Sequence, residues 1–134
     1  MIVVDTNLIA FLYIEGPSNQ AARRVVLRDP DWVAPVLWRS EFRNTLIKCL
    51  RGGLIGRDEA HGIMADAEST MLFNEYDLAS DDVLELAAET GCSAYDAEYV
   101  VLARDLHVPL VTTDRELLEK FPGTAVTPER FVSG

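Results

Sequence analysis

From Ile2 to Val126 the chain alternates short β-branched runs with longer stretches whose apolar residues recur at threes and fours. Strands read at Ile2-Val3-Val4, at Trp32-Val33-Ala34, within the stretch from Met71-Leu72-Phe73 to Leu78, at Pro109-Leu110-Val111-Thr112 and at Thr124-Ala125-Val126. Helices read between them. One covers residues 8–14, stopped by Gly16-Pro17, and a second runs from Pro17-Ser18 to Leu27. A third carries Leu37, Phe42, Leu46, Ile47 and Leu50 and stops at Gly52-Gly53, and a fourth spans residues 57–70. Ser80 is placed to cap a helix over 81–90, closed by Gly91. Ser93 opens another through Leu106, and Thr113 is placed to cap residues 114–120. Parallel strands need a crossover, and helices supply it, so the pattern predicts an α/β fold with a mostly parallel sheet covered on both faces. In such sheets ligands bind beyond the carboxyl ends of the strands. Asp5 and Asp114 follow two of the strand runs, which sets both on that edge.

A chain of 134 residues suits one domain, residues 1–134, with a single core. Its 49% hydrophobic content excludes disorder, and its apolar runs are far too short to span a membrane. Met1-Ile2-Val3-Val4-Asp5 has no basic region and meets a carboxylate at once, unlike a secretory leader. Two cysteines, Cys49 and Cys92, make neither a disulfide framework nor a zinc site, so a cytoplasmic location is expected. The net charge of −10 argues against binding nucleic acid or membrane by bulk charge. That charge is uneven: residues 1–57 sum to +3 and residues 58–134 to −13. Arg39 and Arg43 in the basic half are candidates for holding a phosphate backbone, against the alternative of solvated helix faces.

Four acids have neighbourhoods unlike a surface. Asp5 ends an apolar strand and is followed by Thr6-Asn7 and an apolar helix, where it could serve as an N-cap or as a metal ligand. Glu41 sits on the border of an apolar stripe near Trp38 and Thr45, a place equally suited to pairing with Arg or Lys. Asp96 lies three residues after Ser93, as in a capping box, and heads the inward stripe Tyr99, Val100, Ala103. Asp114 follows Leu110-Val111-Thr112-Thr113 and otherwise reads as an exposed first-turn acid. Brought together, such carboxylates repel, and Mg²⁺ or Mn²⁺ would neutralise them. His61 and His107 are poorly placed for histidine-driven chemistry, and no glycine-rich phosphate loop occurs.

The segments Val3-Val4-Asp5-Thr6-Asn7, Trp38-Arg39-Ser40-Glu41-Phe42-Arg43-Asn44, Ser93-Ala94-Tyr95-Asp96-Ala97 and Leu110-Val111-Thr112-Thr113-Asp114 together resemble the PIN-domain nucleases. The likeness is greatest to the VapC toxins of toxin–antitoxin pairs, and it covers the whole chain in order. It implies a three-layer α/β/α sandwich around a central, mostly parallel sheet. It also implies a Mg²⁺- or Mn²⁺-dependent endoribonuclease whose acids are Asp5, Glu41, Asp96 and Asp114. Asp5 and Asp96 would be direct metal ligands, Glu41 and Asp114 direct or through water. Thr6, Asn7 and Thr113 would form a supporting shell. Hydrolysis by an activated water would leave a 5′-phosphate and a 3′-hydroxyl. The partners implied are RNA, an antitoxin that covers the acids, and a second copy in a homodimer; residues 57–70, with Ile63 and Met64, are candidates for either protein contact. Two other readings share these acids: a catalytically silent RNA- or protein-binding module of the same fold, and another acid-cluster phosphate enzyme. For an aspartyl-nucleophile phosphatase, Asn7 stands where the second acid is expected.

Overall fold

The computed structural model describes residues 1–134. Five short strands form one parallel sheet: β1 (Ile2–Val4), β2 (Trp32–Pro35), β3 (Glu75–Tyr76), β4 (Leu110–Val111) and β5 (Ala125–Val126). Their spatial order is β3-β2-β1-β4-β5. The helices are α1 (Thr6–Tyr13), α2 (Asn19–Arg28), α3 (Trp38–Arg51), α4 (Arg57–Met71), α5 (Ser80–Thr90), α6 (Ala94–Leu106), α7 (Arg115–Lys120) and α8 (Pro128–Ser133). Ile2, Val3 and Val4 are all buried, as a central parallel strand covered on both faces requires.

Topology dictates the layers. The chain steps from β1 to β2 to β3 toward one edge, carrying α1 to α4. It then crosses back over β2 and β1 to reach β4, carrying α5 and α6. Right-handed crossovers that travel in opposite directions put their helices on opposite faces. The packing agrees: α1, α2, α3 and α4 lie against one another, while α6 covers β1, β2 and β4 with α5 behind it. The fold is the three-layer α/β/α sandwich with a parallel centre. Its core includes Trp38 and Phe42, both fully buried, with ring centroids 5.7 Å apart. No helix is long and apolar enough to cross a membrane, and Cys49 and Cys92 are free thiols.

Several boundaries differ from the sequence expectation. α1 begins at Thr6 because the Asp5 carboxylate accepts the Leu8 N–H at 2.9 Å and starts the helix early. The apolar run Met71-Leu72-Phe73 is no strand: Met71 completes the buried face of α4, and Phe73, at φ 69° and 91% exposed, turns the chain. Only Glu75 and Tyr76 pair with β2. Ser80 lies inside α5, whose cap position is Ala79, and Asp114 rather than Thr113 caps α7. α8 is an addition to the expected elements. Thr127 caps it, with Pro128 in the first turn, and it packs on α2.

Candidate active site

The site begins with strand register. Val4 pairs with Val111, so the next residues, Asp5 and Thr112, emerge side by side at the carboxyl edge of the sheet. From there β1 leads toward β2 and β4 toward β5, in opposite directions, which opens the crevice where open α/β sheets bind ligands. The fully buried Thr112 hydroxyl donates to Asp5 Oδ2 and accepts the Asp114 N–H at 3.0 Å. Asp114 Oδ1 in turn accepts the Leu117 N–H at 3.1 Å, capping α7.

Glu41 arrives from the first turn of α3. Its Oε1 accepts the Thr6 hydroxyl at 2.9 Å and the Tyr99 hydroxyl at 2.6 Å, and those two hydroxyls are 2.8 Å apart. Asp96 arrives from the first turn of α6. Ser93 caps that helix by accepting the Asp96 N–H at 3.0 Å, but the Asp96 carboxylate makes no capping bond in return, so it stays free to face the crevice. Asp5, Glu41, Asp96 and Asp114 thus line one cleft of about 240 Å³, together with Thr6, Asn7 and Tyr99. All four acids sit at or near helix N-termini, whose partial positive charge offsets part of their repulsion.

The electrostatics record the crowding. Burial pushes Asp5 up from 3.8 to about 6, with Asp114 and Glu41 adding to the rise and the Thr112 and Leu8 hydrogen bonds opposing it. Asp96 is raised first by burial, then by Asp114, Glu116 and Glu41, with Lys120 pulling the other way. Glu98 is raised by burial, Glu41 and Asp77, so the acidic field extends past the four. Burial and Glu41 also push the Tyr99 hydroxyl up, which keeps its proton available to Glu41.

The remaining expected residues are placed differently. Thr113 is exposed and lies outside the cleft; Thr112, one residue earlier and in register with Asp5, holds the carboxylate. Arg39 and Arg43 do not line the cleft. Arg39 clamps Glu75 through Nε at 2.5 Å and Nη2 at 2.6 Å, and reaches Glu68 through Nη1 at 2.7 Å; Trp38 Nε1 donates to Glu75 as well, at 2.9 Å. Arg43 borders an apolar groove between α3 and α4. The reason is helical phase. Two residues span about 200° of an α-helix, so a helix that shows Glu41 to the cleft turns its neighbours at two positions away. The positions three, four and seven beyond Glu41 do share its face. Asn44, Thr45 and Lys48 occupy them and line the cleft. That spacing was the available sequence signal for Lys48; Tyr99 offered only its place on an inward stripe. Neither His61 nor His107 lines the cleft.

The donor set consists of carboxylate, hydroxyl and amide oxygens, the chemistry of a hard divalent cation. No three of the chain's His, Cys, Asp or Glu side chains close into a preformed cage.

Comparison with known proteins places the chain in a family. The PIN domain family matches residues 2–122, an interval holding all four acids. Ribonuclease VapC3 of Pyrobaculum aerophilum is 35% identical over 130 residues, covering 95% of this chain and 98% of the relative. Among solved structures, PAE2754 from Pyrobaculum aerophilum superposes with a TM-score of 0.77 at 26% identity, over 98% of this chain and 93% of that one. A toxin–antitoxin complex from Klebsiella pneumoniae shares the fold, with a TM-score of 0.67 at 19% identity over 96% of this chain and 98% of its own. With a match across nearly its whole length and a relative aligned end to end, the chain belongs to the PIN-domain family, among proteins of the VapC type.

Proposed function

We propose that the protein is a divalent-cation-dependent endoribonuclease, a toxin of the VapC type, with residues 1–134 acting as one nuclease domain. The observation that carries the reading is the convergence of Asp5, Glu41, Asp96 and Asp114 on a single cleft at the switch point of the sheet. The relative named as a ribonuclease supports RNA as the substrate. Asp5 and Asp96 would hold Mg²⁺ or Mn²⁺ directly, with Glu41 and Asp114 completing the shell directly or through water. When bound, the ion supplies Lewis acidity toward the phosphate and a more acidic water for in-line attack. The chain's own part is positioning. Thr112 fixes the Asp5 carboxylate against β4, and Thr6 and Tyr99 fix Glu41, so the acids meet substrate without first having to reorganise. Water as nucleophile leaves a 5′-phosphate and a 3′-hydroxyl.

The same reading carries a cytoplasmic location, an antitoxin that lays a basic side chain among the acids, and a homodimer. An apolar groove of about 620 Å³ between α3 and α4, lined by Leu46, Ile47, Leu50 and Met64, offers a surface for protein contact. The test is a cleavage assay on total RNA with mapping of the product ends. Wild type with Mn²⁺ cuts and leaves 5′-phosphates, while EDTA or Asp5→Asn abolishes cutting in a folded protein. Undiminished cutting by folded Asp5→Asn, or cutting indifferent to chelation, overturns the proposal.

A further inference from the structure

The cleft wall formed by α3 continues past the acids. Glu41, Asn44, Thr45 and Lys48 follow one another along a single helix face, and Lys48 is the only cation lining the cleft. At 1.5 Å rise per residue, Lys48 stands about 10 Å along the helix from Glu41. It has no carboxylate within salt-bridge range, in contrast to Arg39, which is tied to Glu75 and Glu68. A second cavity, of about 230 Å³, opens beside this wall. It shares Asn7 and Thr45 with the acid cleft and is lined also by Phe11, Ile14, Glu15 and Cys49. A polar trough with a cation at its end, joined to a less polar pocket of modest size, has the chemistry of one nucleotide step: a phosphate and the base next to it.

We propose that a single RNA strand leaves the acid cleft along the Glu41 and Lys48 face of α3, with Lys48 holding the phosphate next to the scissile one and the pocket behind Thr45 receiving a base. This rests on the nuclease reading. Two helical turns separate Lys48 from Glu41 along α3, which places the ammonium for a backbone charge neighbouring the phosphate that the acids engage. A positive charge there also offsets the repulsion an RNA strand feels on nearing four carboxylates, so it acts on binding rather than on bond breaking. Single-stranded RNA is read by splaying bases onto aromatic and apolar surfaces, and Phe11 is the one aromatic residue lining that pocket.

The experiment has two arms. Steady-state cleavage of a fluorescein-labelled single-stranded RNA of randomised sequence, with Mn²⁺ and over a range of salt, compares wild type, Lys48→Gln and Lys48→Arg. Lys48→Gln should raise KM several-fold with kcat nearly unchanged and flatten the salt slope by about 0.7, the value for one phosphate contact on a single strand; Lys48→Arg should restore both. In the second arm the same RNA protects Cys49, half-buried in the pocket wall, from iodoacetamide, with mass spectrometry separating it from buried Cys92. An unchanged salt slope in Lys48→Gln overturns the phosphate contact, and a Cys49 alkylation rate indifferent to RNA overturns the base pocket. A wild type that does not cleave at all fails the nuclease reading instead. A wild type that cleaves while both arms stay flat fails this inference alone.

Discussion

Thr112 donates its hydroxyl to Asp5 Oδ2 across a separation of 107 residues, in a fully buried pocket at the carboxyl edge of the sheet. The same hydroxyl accepts the Asp114 N–H, so one side chain joins the end of β1, the end of β4 and the cap of α7. Thr112→Val keeps the branched shape and removes both roles, leaving a buried carboxylate oxygen and a peptide N–H without partners. The expected cost is about 1–3 kcal/mol, read as a lower urea midpoint at unchanged slope. Mn²⁺ affinity measured by calorimetry should fall with it, and Thr112→Ser should recover most of both. Unaltered stability in Thr112→Val would mean that the Asp5 carboxylate finds another donor.

Asp5 makes the metal-free protein sensitive to pH. Its folded value, about 6, lies above the ordinary 3.8, so the fold favours the protonated form. The stabilisation that this group contributes is fully present below 3.8 and lost as the pH rises through about 6. Asp5→Asn keeps an acceptor for the Leu8 N–H and removes the charge. In EDTA its melting temperature should match wild type near pH 4 and exceed it by roughly a few degrees at pH 7. Mn²⁺ should raise wild type alone and erase the difference. Scanning calorimetry across that range is the check, and a difference independent of pH would contradict the role of charge.

Tyr99 and Thr6 bring two hydroxyl protons to a single oxygen of Glu41. Tyr99→Phe leaves the ring packed and Thr6 still donating, so the fold should lose no more than about 1 kcal/mol. Glu41 gains freedom to swing, and kcat should fall about tenfold while KM for RNA stays near wild type. Because both donors serve one oxygen, Thr6→Val with Tyr99→Phe should cost more than the product of the single effects. Matched losses in kcat and stability would instead mark Tyr99 as a packing residue only.

Much of this architecture is legible from the chain alone. β-branched runs and periodic stripes mark the elements, and Asp5, Asp96 and Asp114 stand where helices begin, an environment the sequence announces through apolar runs on one side and caps on the other. What escapes is whatever depends on phase or register. Thr113 looks as good as Thr112 until the pairing of Val4 with Val111 sets Thr112 beside Asp5. Arg39 and Arg43 flank Glu41 in sequence yet lie on the far side of the helix, and Lys48, seven residues on, is the cation that shares the cleft. The strand expected between Met71 and Leu78 is present, but only as Glu75 and Tyr76, because the apolar run at its start is a buried helix end and an exposed turn with the local composition of a β run.

Arg39 gives the sharpest contrast between charge that binds substrate and charge that holds the fold. Its guanidinium is bidentate to Glu75, whose side chain is 12% exposed, and it bridges to Glu68 on α4. Arg39 holds the Glu75 carboxyl below its ordinary 4.5, so the pair stabilises the fold above that value and loses its contribution as the pH falls through the lower folded one. Arg39→Met leaves Glu75 with the Trp38 N–H alone. With Arg39 itself 30% exposed, solvent screening limits the expected loss to about 1 kcal/mol at neutral pH, shrinking toward zero in acid. Urea unfolding at the two pH values measures it. Because the pair faces away from the cleft, the salt slope of RNA cleavage should not move. A flattened slope with stability intact would show that Arg39 leaves Glu75 to reach the substrate.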